Sequence, residues 1–230
     1  MRGIHATILG AALLGSASIA CAQTPGMAGA NLPKQDFAKK STFDLPVVMD
    51  QEFRATLSEI RLYVKTPTGA WKVHESIAPH QTRFACRVGQ DGEYWFMLAT
   101  VDRSGKMTPP DPNVESPKNS FRRVVVDTTP PVIQAQPWTS PEGDFCLRCT
   151  VQDANPDNAS LRAVCKTPYG DVPLERVPNQ EGLFRVKGTD MQNRVLITVS
   201  DLAGNVSTKE VNLGQMLRAT QPTAPAAVAQ

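Results

Sequence analysis

IRLYVKTPTG, residues 60–69, returns as LRAVCKTPYG, residues 161–170: Arg61, Lys65, Thr66, Pro67 and Gly69 recur as Arg162, Lys166, Thr167, Pro168 and Gly170 at one constant spacing. In the first copy Ile60, Leu62 and Val64 alternate with Arg61, Tyr63 and Lys65, the period of two that marks a half-buried strand. The second copy places Leu161, Ala163 and Cys165 inward in the same way. Each strand runs into a Thr-Pro-x-Gly turn, in which proline presets φ and glycine accepts a positive one. A further short strand is predicted after each turn, WKVHESI (residues 71–77) and VPLERV (172–177). Further on, FMLATVDRSGKM from Phe96 aligns with VLITVSDLAGNV from Val195, again as strand, aspartate, turn glycine and exit strand.

Strand signals of this kind recur at the spacing of an all-β sandwich, and no stretch carries a helical period over three turns. The repeat therefore predicts two tandem β-sandwich domains, over residues 42–129 and 130–213. Between them lies VDTTPPV, Val126 to Val132, where Pro130 and Pro131 lack the N–H a ladder needs, so one strand must end and a stiff, extended joint begin.

Gly92-Glu93-Tyr94-Trp95-Phe96 resembles the G-x-Y-x-C corner of immunoglobulin-like sandwiches, with Phe96 in the cysteine's place. Asp201-Leu202-Ala203-Gly204-Asn205 and the VDTTPPV seam resemble the hairpin and joint of bacterial exported immunoglobulin-like or fibronectin type III-like repeats. The resemblance spans about residues 42 to 213. It implies two tandem immunoglobulin-like β-sandwiches serving as a stalk, adhesion or accessory module, not a catalyst, and it leaves copy one without the inter-sheet bridge.

Ahead of these domains, Arg2 precedes an apolar run from Ile8 to Ala20, too short to span a bilayer, followed by Ala20-Cys21-Ala22, a small-x-small cleavage pattern. A secretory signal over residues 1–22 is expected, which places the mature chain in the periplasm, outside the cell or at its surface. The competing reading, a lipoprotein acylated on Cys21, has Ser18 where that processing prefers leucine. No second apolar run predicts a membrane span. Residues 23–41 and the Ala/Pro/Thr-rich tail 214–230 lack an apolar pattern and are expected to be flexible.

With the leader removed, basic residues outnumber acidic ones by one, and no basic stripe interleaves with aromatics, so nucleic acid is a poor partner. There is no nucleotide-binding glycine loop, no metalloprotease helix and no nucleophile elbow. His74 and His80 match no ligand or catalytic spacing.

Four cysteines remain after the leader: Cys86, Cys146, Cys149 and Cys165. FCLRCTV alternates as a strand, so Cys146 and Cys149 point to opposite faces and cannot share a metal or a bond. Cys149 and Cys165 both point inward; they form either a disulfide across the second core or two buried thiols packed as small apolar groups. DANPDN (residues 153–158) begins like a calcium loop. Asp153, Asn155 and Asp157, with Asp201 from the later hairpin, are the candidate ligands, against a glycine and a glutamate missing from their calcium-loop positions and the ordinary turn chemistry of such residues. No other cofactor is expected.

In copy one, Trp95 and Met97 fall on the face opposite Phe96 and Leu98. They form either an apolar platform for a protein or glycan of the cell envelope or a patch covered by the proline-rich loop Thr108 to Pro117. Function is thus expected to be non-catalytic surface recognition or spacing, with a carbohydrate-binding accessory module as the alternative and a secreted enzyme behind it.

Overall fold

The computed structural model describes residues 7–8, 33–117, 120–140, 143–187 and 194–220. The expected cleavage point after Ala22, Cys21 and the end of the tail lie outside these. The chain is all-β apart from two short helices and divides into two compact units between Asp127 and Thr128, two residues before the boundary read from the sequence. No described helix is long and apolar enough to cross a membrane.

The first unit contains β1 (Thr7–Ile8), β2 (Gln35–Ala38), β3 (Thr42–Val48), α1 (Gln51–Ala55), β4 (Leu57–Lys65), β5 (Lys72–Ile77), β6 (Arg83–Arg87), β7 (Gly92–Asp102), β8 (Met107–Thr108) and β9 (Arg122–Val126). One sheet runs β2-β9-β7-β4-β5 with β8 alongside β7, and the facing sheet runs β1-β3-β6. Ile60, Leu62 and Phe96 from the first sheet meet Leu45, Phe84 and Cys86 from the second in one core. Each fully buried aliphatic or phenyl group contributes about 1.5–3 kcal/mol. The expectation of a flexible segment 23–41 is corrected at its end. Gln35–Ala38 pairs in parallel with β9, and Asp36 holds Arg122 at 2.7 Å.

Between β3 and β4, α1 is fastened by one side chain. Arg54 donates to the carbonyls of Val47 (2.7 Å), Pro79 (2.6 Å) and Gln81 (2.7 Å), tying the helix to the end of β3 and to the β5–β6 turn.

The second unit contains β10 (Val132–Thr139), β11 (Phe145–Gln152), β12 (Pro156–Thr167), β13 (Gly170–Pro173), β14 (Glu175–Arg176), β15 (Leu183–Arg185), β16 (Arg194–Asp201), β17 (Val206–Asn212) and α2 (Leu213–Thr220). Its sheets run β10-β11-β15-β14 and β13-β12-β16-β17, closed over Leu147, Leu161, Phe184, Val195 and Ile197. VPLERV, predicted as one strand, is two strands in opposite sheets. Pro173 sits on the edge strand with its missing N–H directed away from β12; the next residue, Leu174, makes the last bond to β12, its N–H donating to Ala163, and turns into the core. The tail predicted as disordered from 214 begins instead with α2. Asn212 Oδ1 caps the Gln215 N–H at 3.0 Å, and Leu213 and Met216 pack on the core, which offsets the ordering entropy of these residues.

Candidate functional site

Trp95 and Met97 do leave the core on the far face of β7, but that face is not open. Met97 is fully buried (0 % exposed), which decides between its two expected places in favour of a covered patch over an open platform. It belongs to a second, smaller cluster with Tyr63, Trp71 and Ala99, against which Trp95, Met107 and Phe121 also pack. The strand register builds it, since Tyr63 sits opposite Met97 and Lys65 opposite Trp95 on the β4–β7 ladder. The proline-rich loop lies over the β4–β5 hairpin. Asn113 imitates a strand, its Oδ1 accepting from the Trp71 N–H and its Nδ2 donating to the Trp71 carbonyl, both at 3.1 Å.

The Trp95 indole is used on both faces. Phe121 stacks on it at 4.6 Å and 11°, and a ring so placed leaves no room on that face for an ammonium. Lys65 Nζ, 4.3 Å from the indole centroid and 5.2 Å from that of Trp71, therefore takes the other. At the edge, Trp95 Nε1 and Arg123 Nε both donate to Glu93 Oε1, at 2.6 and 2.7 Å. The Arg123 hydrogen bond is the main reason the Glu93 carboxyl is held below its ordinary value. A sugar ring needs a bare indole face, and Trp95 has none to offer. Lys65 and Phe121 escaped the sequence reading because they reach Trp95 through strand register and a long loop, whereas Glu93, two residues earlier on the same face of β7, was legible in the alternation.

The four candidate calcium ligands are divided by the fold. Asp153 and Asp201 bring carboxylate oxygens within 4.8 Å of each other, and Asp201 is 3 % exposed. Asn155 follows this pair: its N–H donates to Asp153 Oδ1 at 2.7 Å and its carbonyl accepts from Leu202. Asp157, expected in the loop, is already within β12 opposite Ser200. An all-oxygen donor set suits a hard cation. Asp201 nevertheless has a complete structural task. Its Oδ1 accepts from the Asn205 N–H (2.8 Å) and its Oδ2 from Asn205 Nδ2 (2.7 Å), locking the β16–β17 hairpin.

Cys86, Cys146, Cys149 and Cys165 are buried as thiols with no disulfide between Cys149 and Cys165, so the disulfide reading of that pair gives way to the apolar one. They stand on opposite sheets and share the core with Leu147, Leu161 and Phe184. Burial pushes the Cys149 and Cys86 thiols up to about 12, which makes them poor nucleophiles and poor metal ligands. Cys146 lies on the face away from Cys149, paired with Trp138. Arg148 stands 4.8 Å over that indole, an arrangement the sequence reading passed over. His74 meets Phe96 edge-on at 6.4 Å, and His80 is exposed.

No family model matches this chain, and no curated protein matches it. Among solved structures it is similar to the fibronectin(III)-like modules of Clostridium thermocellum CbhA, with a TM-score of 0.43 and 12 % identity over 78 % of this chain and 87 % of that one. The sandwich assignment rests on the ladders and cores described above.

Proposed function

We infer that this is a non-catalytic, exported module of two β-sandwiches that works by recognising a component of the cell envelope. The observation that carries the reading is the presence of two separately cored sandwiches, each closed over its own apolar centre, on either side of a joint containing Pro130 and Pro131. Autonomous cores and a stiff joint suit presentation of surfaces at a distance from an attachment point. Burial of Met97 and the internal use of Trp95 move the expected contact away from the first unit's sheet face and towards its loops.

The test is capture. The chain lacking residues 1–22, immobilised and exposed to solubilised envelope proteins and to a glycan array, retains a defined protein or glycan if recognition is its role. Retention of nothing, with intact folding shown by circular dichroism, would leave only a spacer. Turnover of a captured compound would defeat the non-catalytic reading.

A further inference from the structure

The β7–β8 hairpin and the turn after α1 enclose a depression of about 530 Å³ in the first unit, within the size range of small-molecule sites. It lies at the opposite end of β7 from Gly92, which pairs with Val126 where β9 leaves the sheet. Phe53 and Leu57 supply apolar lining, Thr56 and Ser104 hydroxyls, and Arg103 and Lys106 positive charge. Both cations are exposed, and neither side chain makes a hydrogen bond or ion pair among the described residues.

The second unit shows that the fold does not require those cations. Its β16–β17 hairpin repeats the turn bond for bond: Gly105 N–H to Asp102 O at 3.0 Å matches Gly204 to Asp201 at 3.2 Å, and Asp102 N–H to Lys106 O at 3.0 Å matches Asp201 to Asn205 at 3.0 Å. The turn glycines have φ of +85° and +87°. Where copy one has Arg103 and Lys106, copy two has Leu202 and Asn205. One hairpin geometry is thus built with or without the charges.

The hydroxyls narrow the ligand class. Thr56 Oγ1 already donates to the Phe53 carbonyl (2.7 Å), and Ser104 Oγ to Asp102 Oδ1 (2.6 Å), so each presents only lone pairs to a visitor. Asp102 Oδ1 also accepts from the N–H groups of Ser104 and Lys106, and these bonds, the Ser104 hydroxyl first, hold its carboxyl below the ordinary value. A ligand must bring hydroxyl donors to these acceptors and an anion to two cations opposed by one carboxylate. We propose that this depression binds an acidic saccharide of the hexuronate class. The ligand's carboxylate meets Arg103 and Lys106, its hydroxyls donate to Thr56 and Ser104, and an apolar ring face lies against Phe53. This rests on the recognition reading and supplies its ligand class.

Calorimetric titration of the chain lacking residues 1–22 with oligogalacturonate, its neutral methyl ester and inorganic phosphate tests the assignment. Oligogalacturonate binds and weakens with added salt, while the methyl ester and phosphate each bind at least tenfold more weakly. The double variant Arg103→Leu/Lys106→Asn, which copies the second hairpin, loses at least tenfold in affinity at an unchanged unfolding midpoint. No binding of oligogalacturonate, equal binding of phosphate or undiminished binding by the double variant overturns the site. If envelope capture succeeds and the double variant captures equally well, the site falls and the recognition reading stands.

Discussion

Gly182 shows how closely a single position is determined. Its φ is +68°, and a Cβ there would lie 2.1 Å from the Cys149 carbonyl oxygen, while its own carbonyl accepts the Cys149 N–H at 2.7 Å. Gly182→Ala must either distort β11 or break that bond, and a loss of roughly 3 kcal/mol is expected from urea midpoints; an unchanged midpoint would contradict the close approach. Trp95 is governed by its neighbours instead. Trp95→Ala removes the Phe121 stack, the Lys65 contact and a hydrogen bond to Glu93, so stability falls by roughly 2–4 kcal/mol. A loss under about 1 kcal/mol would mean that the indole is free for a partner after all. Glu93 adds a pH signature. Its carboxyl is depressed in the folded chain, chiefly by Arg123, so its contribution is complete above the ordinary carboxylate value of about 4.3 and disappears as pH falls through the lowered one. Glu93→Gln accordingly costs stability at pH 7, and the gap to the parent narrows in denaturation series carried below pH 4; a gap constant with pH would remove the charge from the explanation.

At the level of elements, each unit carries one short helix and holds it differently. The first uses α1, which is too short to hold itself and depends on the three carbonyls that Arg54 reaches. The second uses α2, whose Leu213 is fully buried. Truncation after Asn212 removes that leucine and the Met216 contact, and the second unit should lose roughly 2–4 kcal/mol, read from the fluorescence transition of Trp138. If truncation left this transition unmoved, α2 would be an ornament of the surface. Leu174 marks the switch in the second unit: it makes the last bond to β12 and turns into the core, and the chain passes to β14 in the opposite sheet, where the first unit has β5 alone.

For the whole molecule, the division between Asp127 and Thr128 predicts its behaviour under protease. Limited digestion is expected to cut near Thr128 to Pro131 and leave two fragments, each β-rich by circular dichroism, because these residues lie in no strand ladder. A single resistant core would count against two independently closed sandwiches.

What the amino-acid sequence determined by itself was local: the period of two in IRLYVK and LRAVCK, the Thr-Pro-x-Gly turns, the aspartate-to-glycine hairpins and the prolines of the joint. Each is written within a few consecutive residues, where sterics and alternation act. The tertiary structure alone decided what non-local register controls. Pairing of Lys65 with Trp95, with Phe121 arriving from across a long loop, decided between an open platform and a covered patch in favour of the latter. Packing of Leu213 and Met216 turned an expected loose tail into a helix, because the apolar surface that stabilises it belongs to strands distant in the chain. Arg103 and Lys106 were legible as charges in DRSGK, but only the fold set them beside Phe53 and Thr56, some fifty residues earlier, and so made a site from a turn.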